Sequence, residues 1–69
     1  MITYILRKES VGSWTMKTNK IEDVLFFLKT YCDENDVKTL DENLDVETQV
    51  YSLLDTPSGH EFFYEYVET

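Results

Sequence analysis

Sixty-nine residues with 14 acids against 6 bases, a net charge of −8 and 42% hydrophobic content fit one small globular domain, residues 1–69, and not a disordered chain. No apolar run approaches the roughly 18 residues of a membrane span, and the first residues lack the basic prelude and small-residue cleavage site of a targeting peptide, so the expected compartment is the cytoplasm. So few cations argue against nucleic acid as a direct ligand, because binding it requires Lys and Arg to displace condensed counterions.

Residues 2–8, ITYILRK, alternate Ile2, Tyr4 and Leu6 against Thr3, Ile5 and Arg7, which predicts a strand. Glu9-Ser10-Val11-Gly12 supplies a turn, and Ser13–Thr18 alternates again, with Trp14, Met16 and Thr18 on one side, so the two strands form a hairpin. From Asn19 to about Glu34 the period changes to that of a helix. Ile21, Val24, Leu25, Leu28, Tyr31 and Cys32 fall in one stripe, with Asn19 as the expected N-cap, Glu22 three residues on, and Phe26 well off the stripe.

Residues 33–45 mix helical spacing (Val37, Leu40, Leu44) with turn-forming Asp and Asn, and read as a loop with one helical turn. Residues 46–54, VETQVYSLL, are rich in β-branched and aromatic types and stop at the breaker Asp55-Thr56-Pro57-Ser58-Gly59, so they read as a strand. Residues 60–67 then close a second hairpin, with Phe62, Tyr64 and Tyr66 on one face and Phe63 and Val67 with Glu61 and Glu65 on the other. The expected architecture is α+β, a two-layer β-β-α-β-β sandwich with a four-stranded, mostly antiparallel sheet and one helix packed on one face. Its expected core is Ile2, Tyr4, Leu6, Trp14 and Met16, the helix stripe, and Val50, Phe62, Tyr64 and Tyr66.

No arrangement of residues announces chemistry. His60, the only histidine, has no serine or cysteine spaced as a nucleophile would be, and reads as a turn residue. Cys32 sits on the apolar stripe and reads as a core thiol. Asp41, Asn43, Asp45 and Glu47 imitate the opening of a calcium loop, but Val46 stands where the sharp turn requires Gly, and Ser52 where the bidentate Glu belongs. With Gly12 and Gly59 alone, no glycine-rich phosphate loop exists. The expectation is a protein without catalytic residues, metal or cofactor.

The charge is lopsided. Residues 1–30 carry five bases against three acids, and residues 31–69 one base against eleven acids, so one surface is expected to be strongly negative. Such crowding predicts that folding raises the average carboxylate pKa and that the melting temperature is higher near pH 5 than near pH 8. On the wet sheet face, Ile5, Phe63 and Val67, with Tyr51 and Leu53, are expected to form an apolar patch fringed by Glu47, Glu61 and Glu65.

In size, acidity and lack of catalytic motifs the chain resembles the short proteins that phages and other mobile elements make to occupy a host protein, some of which imitate the charge of nucleic acid. The resemblance is one of kind and assigns no residue. It implies a non-catalytic binding protein, an inhibitor that occupies the basic surface of a protein partner, including one that normally holds DNA or RNA. The candidate contact residues are Asp33, Glu34, Asp36, Asp41, Glu42, Asp45 and Glu47 in the acidic stretch, and Glu61, Phe63, Glu65 and Glu68 on the last strand. The alternative expectation is a self-associating structural or accessory protein, a homodimer through the open sheet face, whose acidity serves solubility alone.

Overall fold

Strand β1 (Ile2–Lys8) lies at the centre of a three-stranded antiparallel sheet, with β2 (Trp14–Thr18) on one side and β3 (Phe62–Glu68) on the other. The structure, a computed structural model, describes residues 1–9 and 12–69. The first hairpin forms as its alternation predicts, pairing Leu6 with Met16 and Lys8 with Trp14. Ser10 and Val11 of the expected turn lie outside the described residues; Gly12 has φ +77, a region glycine enters without a Cβ penalty. On its other side β1 pairs Leu6 with Tyr64 and Ile2 with Glu68. The chain ends therefore meet: the Thr69 N–H donates to the Met1 carbonyl at 2.9 Å.

The four-stranded sheet and the second hairpin are not formed. Residues 46–54 are a helix, α3 (Val46–Leu54), which joins α1 (Ile21–Tyr31) and the short α2 (Glu34–Lys38) on one face of the sheet, and a 3₁₀ turn (Ser58–Glu61) leads into β3. The physical reason is spacing: Val46, Val50, Leu53 and Leu54 recur as neighbours on one side of a helix, and burying that side outweighs the weak strand preference of its Val, Thr and Tyr residues. Asp45 fixes the start, its carboxylate accepting from the Thr48 N–H at 3.3 Å. The expected single helical turn in residues 33–45 is α2.

Helix α1 forms on the predicted stripe but with different ends. Its N-cap is Lys20, without a side-chain cap, because the Asn19 amide instead donates to the Ile2 carbonyl at 3.2 Å. The Thr18 hydroxyl organises this end, accepting from the Lys20 N–H at 3.1 Å and donating to Asp23 Oδ2 at 2.6 Å. The helix stops at Tyr31, since Cys32 is already extended.

The core is Leu6 from the sheet, Val24, Leu25, Leu28 and Cys32 from α1 and its end, Val50 and Leu53 from α3, and Phe62. Leu53 was expected on the wet face; it is fully buried because α3 turns it inward. Tyr31 and Tyr66, expected in the core, are 46% and 55% exposed. Trp14 closes one end, its ring 5.2–6.2 Å from those of Tyr31, Phe27 and Phe62.

Candidate interaction surfaces

Folding sorts the charge by layer. Residues 19–61, the helices and their connections, hold eleven acids and three bases, whereas residues 1–18 and 62–69, the strands and chain ends, hold three of each. The helical layer thus carries the whole net charge of −8.

Four of the candidate carboxylates in that layer serve the fold. Asp33 caps α2 by accepting from the Asn35 N–H at 2.8 Å, Asp41 accepts from the Asn43 N–H at 3.0 Å, and Asp45 caps α3. Asp36 accepts from the Ser58 hydroxyl at 2.6 Å and the Ser58 N–H at 3.1 Å, and these bonds hold its carboxyl below the usual carboxylate range. Glu34 pairs with Lys38 at 3.3 Å and Glu42 with Lys29 at 3.1 Å. Glu47, Glu61, Glu65 and Glu68 make no ion pair among the described residues. Of the carboxylates that imitated a calcium loop, Asp41 and Asp45 accept from nearby backbone N–H groups while Glu47 lies on α3, and among the described residues no three His, Cys, Asp or Glu side chains converge as a metal site requires.

The candidate residues divide between two surfaces. Phe63 and Glu65 lie on the open face of the sheet, opposite the helices, with Thr3, Ile5 and Arg7 of β1, Thr15 and Lys17 of β2, and Val67. Phe63 and Val67 are 44% and 45% exposed there, and the Arg7 guanidinium sits 4.6 Å from the centre of the Phe63 ring. Tyr51, Leu53 and Glu47, expected on this face, belong to α3 and lie on the other side of the sheet.

Sequence reasoning missed the tyrosines. Tyr4, Tyr64 and Tyr66 share the helix-facing side of the sheet as their alternation predicts, but α3 covers that side only in part. Tyr4 lies 6.5 Å from both Tyr64 and Tyr66, and Tyr51 of α3 meets Tyr64 edge-on at 5.7 Å. Between them opens a pocket of about 200 Å³ lined by Ile2, Tyr4, Glu47, Tyr64, Tyr66 and Glu68. Desolvation, then the neighbouring Tyr51, Tyr4, Glu47 and Tyr66, pushes the Tyr64 phenol up to about 12. The signal available in the sequence was the count: Tyr4 of β1 with Tyr64 and Tyr66 of β3 put more aromatic surface on one sheet face than one short helix covers.

Ser52, Asp55 and His60 line a shallow, open depression, but among the described residues no hydrogen bond joins any two of them, so a serine nucleophile has no base in place. Cys32 is buried beside the 3₁₀ turn, and burial pushes its thiol up, only partly offset by Ser58, which fits a packed thiol and not a thiolate. No described helix is long and apolar enough to cross a membrane. The chain matches no protein-family model, no curated protein and no solved structure.

Proposed function

We propose that this chain is a cytoplasmic, non-catalytic binding protein whose acidic helical layer docks on a basic surface of a protein partner, and that surfaces which normally hold nucleic acid are the ones it fits. The observation that carries the reading is the sorting of charge: every unit of the net −8 belongs to residues 19–61, while the sheet layer is neutral. A second feature supports it. Phe26 projects from α1 with 66% of its surface exposed, one helical turn from Glu22 and Asp23, so an aromatic anchor stands within the acidic field.

The test is capture of a partner from the lysate of the source organism, repeated with Glu34→Gln, Glu42→Gln and Glu61→Gln combined. These three side chains are exposed and hold no backbone group, so their loss leaves the fold in place. The complex is expected to form at about 50 mM salt, to weaken steeply by about 200 mM, and to fail with the triple variant. A complex indifferent to both salt and the substitutions would sink the reading.

A second reading, self-association through the open sheet face, is favoured by one feature: Phe63 and Val67 lie exposed there beside the half-buried Ile5, among the charges of Arg7, Lys17 and Glu65.

A further inference from the structure

We propose that the tyrosine-lined pocket between α3 and the sheet is a binding site for an alkylammonium group, the end of a lysine side chain presented by the partner; the identity of that occupant rests on the docking reading above. Three observations converge on it. Tyr4, Tyr64 and Tyr66 bring electron-rich rings to one pocket, the environment in which a cation is attracted by ring quadrupoles. Glu47 from the first turn of α3 and Glu68 from the end of β3 bring two carboxylates to the same pocket. Among the described residues neither Lys nor Arg lines the pocket, the N-terminal ammonium of Met1 donates to the Thr69 carbonyl at 2.7 Å, and the ion pairs, Arg7–Glu9, Lys29–Glu42 and Lys38–Glu34, include neither carboxylate.

Size and geometry narrow the occupant. About 200 Å³ is below the roughly 300 Å³ at which pockets for drug-sized ligands begin, so it admits the end of one side chain. Glu47 and Glu68 stand on different elements, one on a helix and one at a strand end, which suits the three spread donors of an ammonium better than the flat fork of a guanidinium. The field has the right sign. Desolvation of Tyr64 opposes any charge, but of the neighbours that raise its pKa Glu47 is ionised at neutral pH, and its carboxylate opposes negative charge in the pocket and favours a cation.

The experiment follows the ring proton resonances of Tyr4, Tyr64 and Tyr66 in the full chain during titration with N-acetyl-lysine methylamide, with its norleucine and arginine counterparts as controls. The lysine probe is expected to shift all three rings saturably at millimolar concentration, with the norleucine probe weaker by about tenfold or more, the worth of one such cation contact. Glu47→Gln and Glu68→Gln are each expected to weaken the lysine probe several-fold. Tyr66→Leu, at a side chain 55% exposed and outside the core, should abolish its binding. Equal shifts with norleucine, tighter binding of the arginine probe, or rings that do not move overturn the assignment. Octalysine separates this proposal from the docking reading. Salt-sensitive octalysine binding that Tyr66→Leu leaves unchanged, with the single-lysine probe silent, overturns the pocket and keeps the docking. Ring shifts by the single-lysine probe, with octalysine binding no tighter than that probe per lysine side chain, keep the pocket and remove the docking.

Discussion

Asp36 and Ser58, 22 positions apart in sequence, are joined twice, the serine hydroxyl donating to Asp36 Oδ2 at 2.6 Å and the serine N–H to the same oxygen at 3.1 Å. The Ser58 hydroxyl also accepts from the Asp33 N–H at 2.9 Å, so one serine ties both ends of the first turn of α2 to the 3₁₀ turn that aims β3.

That relationship sets a pH dependence. The folded Asp36 carboxyl lies below its ordinary value of 3.8, so its contribution to stability is present above that value and is lost as pH falls through the lower, folded one. Ser58→Ala is therefore expected to lower the melting temperature by a constant amount at pH 6 and pH 5, and by less near pH 3, where the wild type loses the same interaction. A difference that stays constant down to pH 3 contradicts the Asp36 assignment. The sign here opposes the one expected from carboxylate crowding, which acts on acids without partners.

The fate of residues 46–54 gives the second prediction. If Leu53 and Phe63 both lay on an exposed face, truncating either would cost little. Leu53 is instead fully buried and Phe63 is 44% exposed. Leu53→Ala is expected to cost about 2–5 kcal/mol in urea denaturation, as is Leu28→Ala, while Phe63→Ala costs under about 1 kcal/mol. Equal small losses for Leu53 and Phe63 would restore the strand. Asp45→Ala should cost about 0.5–2 kcal/mol and speed amide exchange at Thr48.

The contrast shows what the residues made legible. β1, β2, α1 and β3 form where their periods predict them, and Leu6, Val24, Leu25, Leu28, Cys32 and Phe62 lie in the core as those periods imply, whereas Val50 is a core residue on a helix and not on the expected strand. In residues 46–54 propensity and period disagree: Val, Thr and Tyr favour a strand, while Val46, Val50, Leu53 and Leu54 mark a helix face, and tertiary burial decided for the period. The pairing of β3 with β1 depends on contacts between opposite ends of the chain, which local pattern does not encode. Asp33, Asp41 and Asp45, candidate contact residues by their charge, are caps and turn-holders, a role written in their positions ahead of helical turns.

Gly59 yields a third prediction. A Cβ built there would stand 1.9 Å from the Leu53 carbonyl oxygen and 2.8 Å from the Leu54 Cα, both backbone atoms at the end of α3. Gly59→Ala must push the 3₁₀ turn off that helix, so its cost is expected to exceed the roughly 1–3 kcal/mol of ordinary overpacking. Gly12→Ala meets nothing within 4 Å and suffers only from φ +77, a cost of about 1–2 kcal/mol. A Gly59→Ala protein as stable as Gly12→Ala would show that the turn is not seated against α3.

The last prediction separates the two readings of the surface by the sign of their salt dependence. Partner binding through the helical layer joins opposite charges, and screening weakens it. Self-association through the open sheet face joins a neutral apolar patch around Phe63 and Val67 on molecules that each carry −8, so the charges oppose approach and screening strengthens it. If the open face self-associates, sedimentation of the purified chain at high micromolar concentration shows an average mass that rises from about 50 to 500 mM salt, whereas a chain that only docks on a partner stays at the monomer mass throughout. Phe63→Asp should hold it at the monomer mass throughout, because that substitution places a charge in the middle of the patch. Arg7 adds a constraint: lying against the Phe63 ring at 4.6 Å, it shields one side of the patch, and Arg7→Ala should raise the average mass further. An average mass that falls with salt, or that Phe63→Asp leaves unchanged, would place any self-contact elsewhere and leave the open face without a role in it.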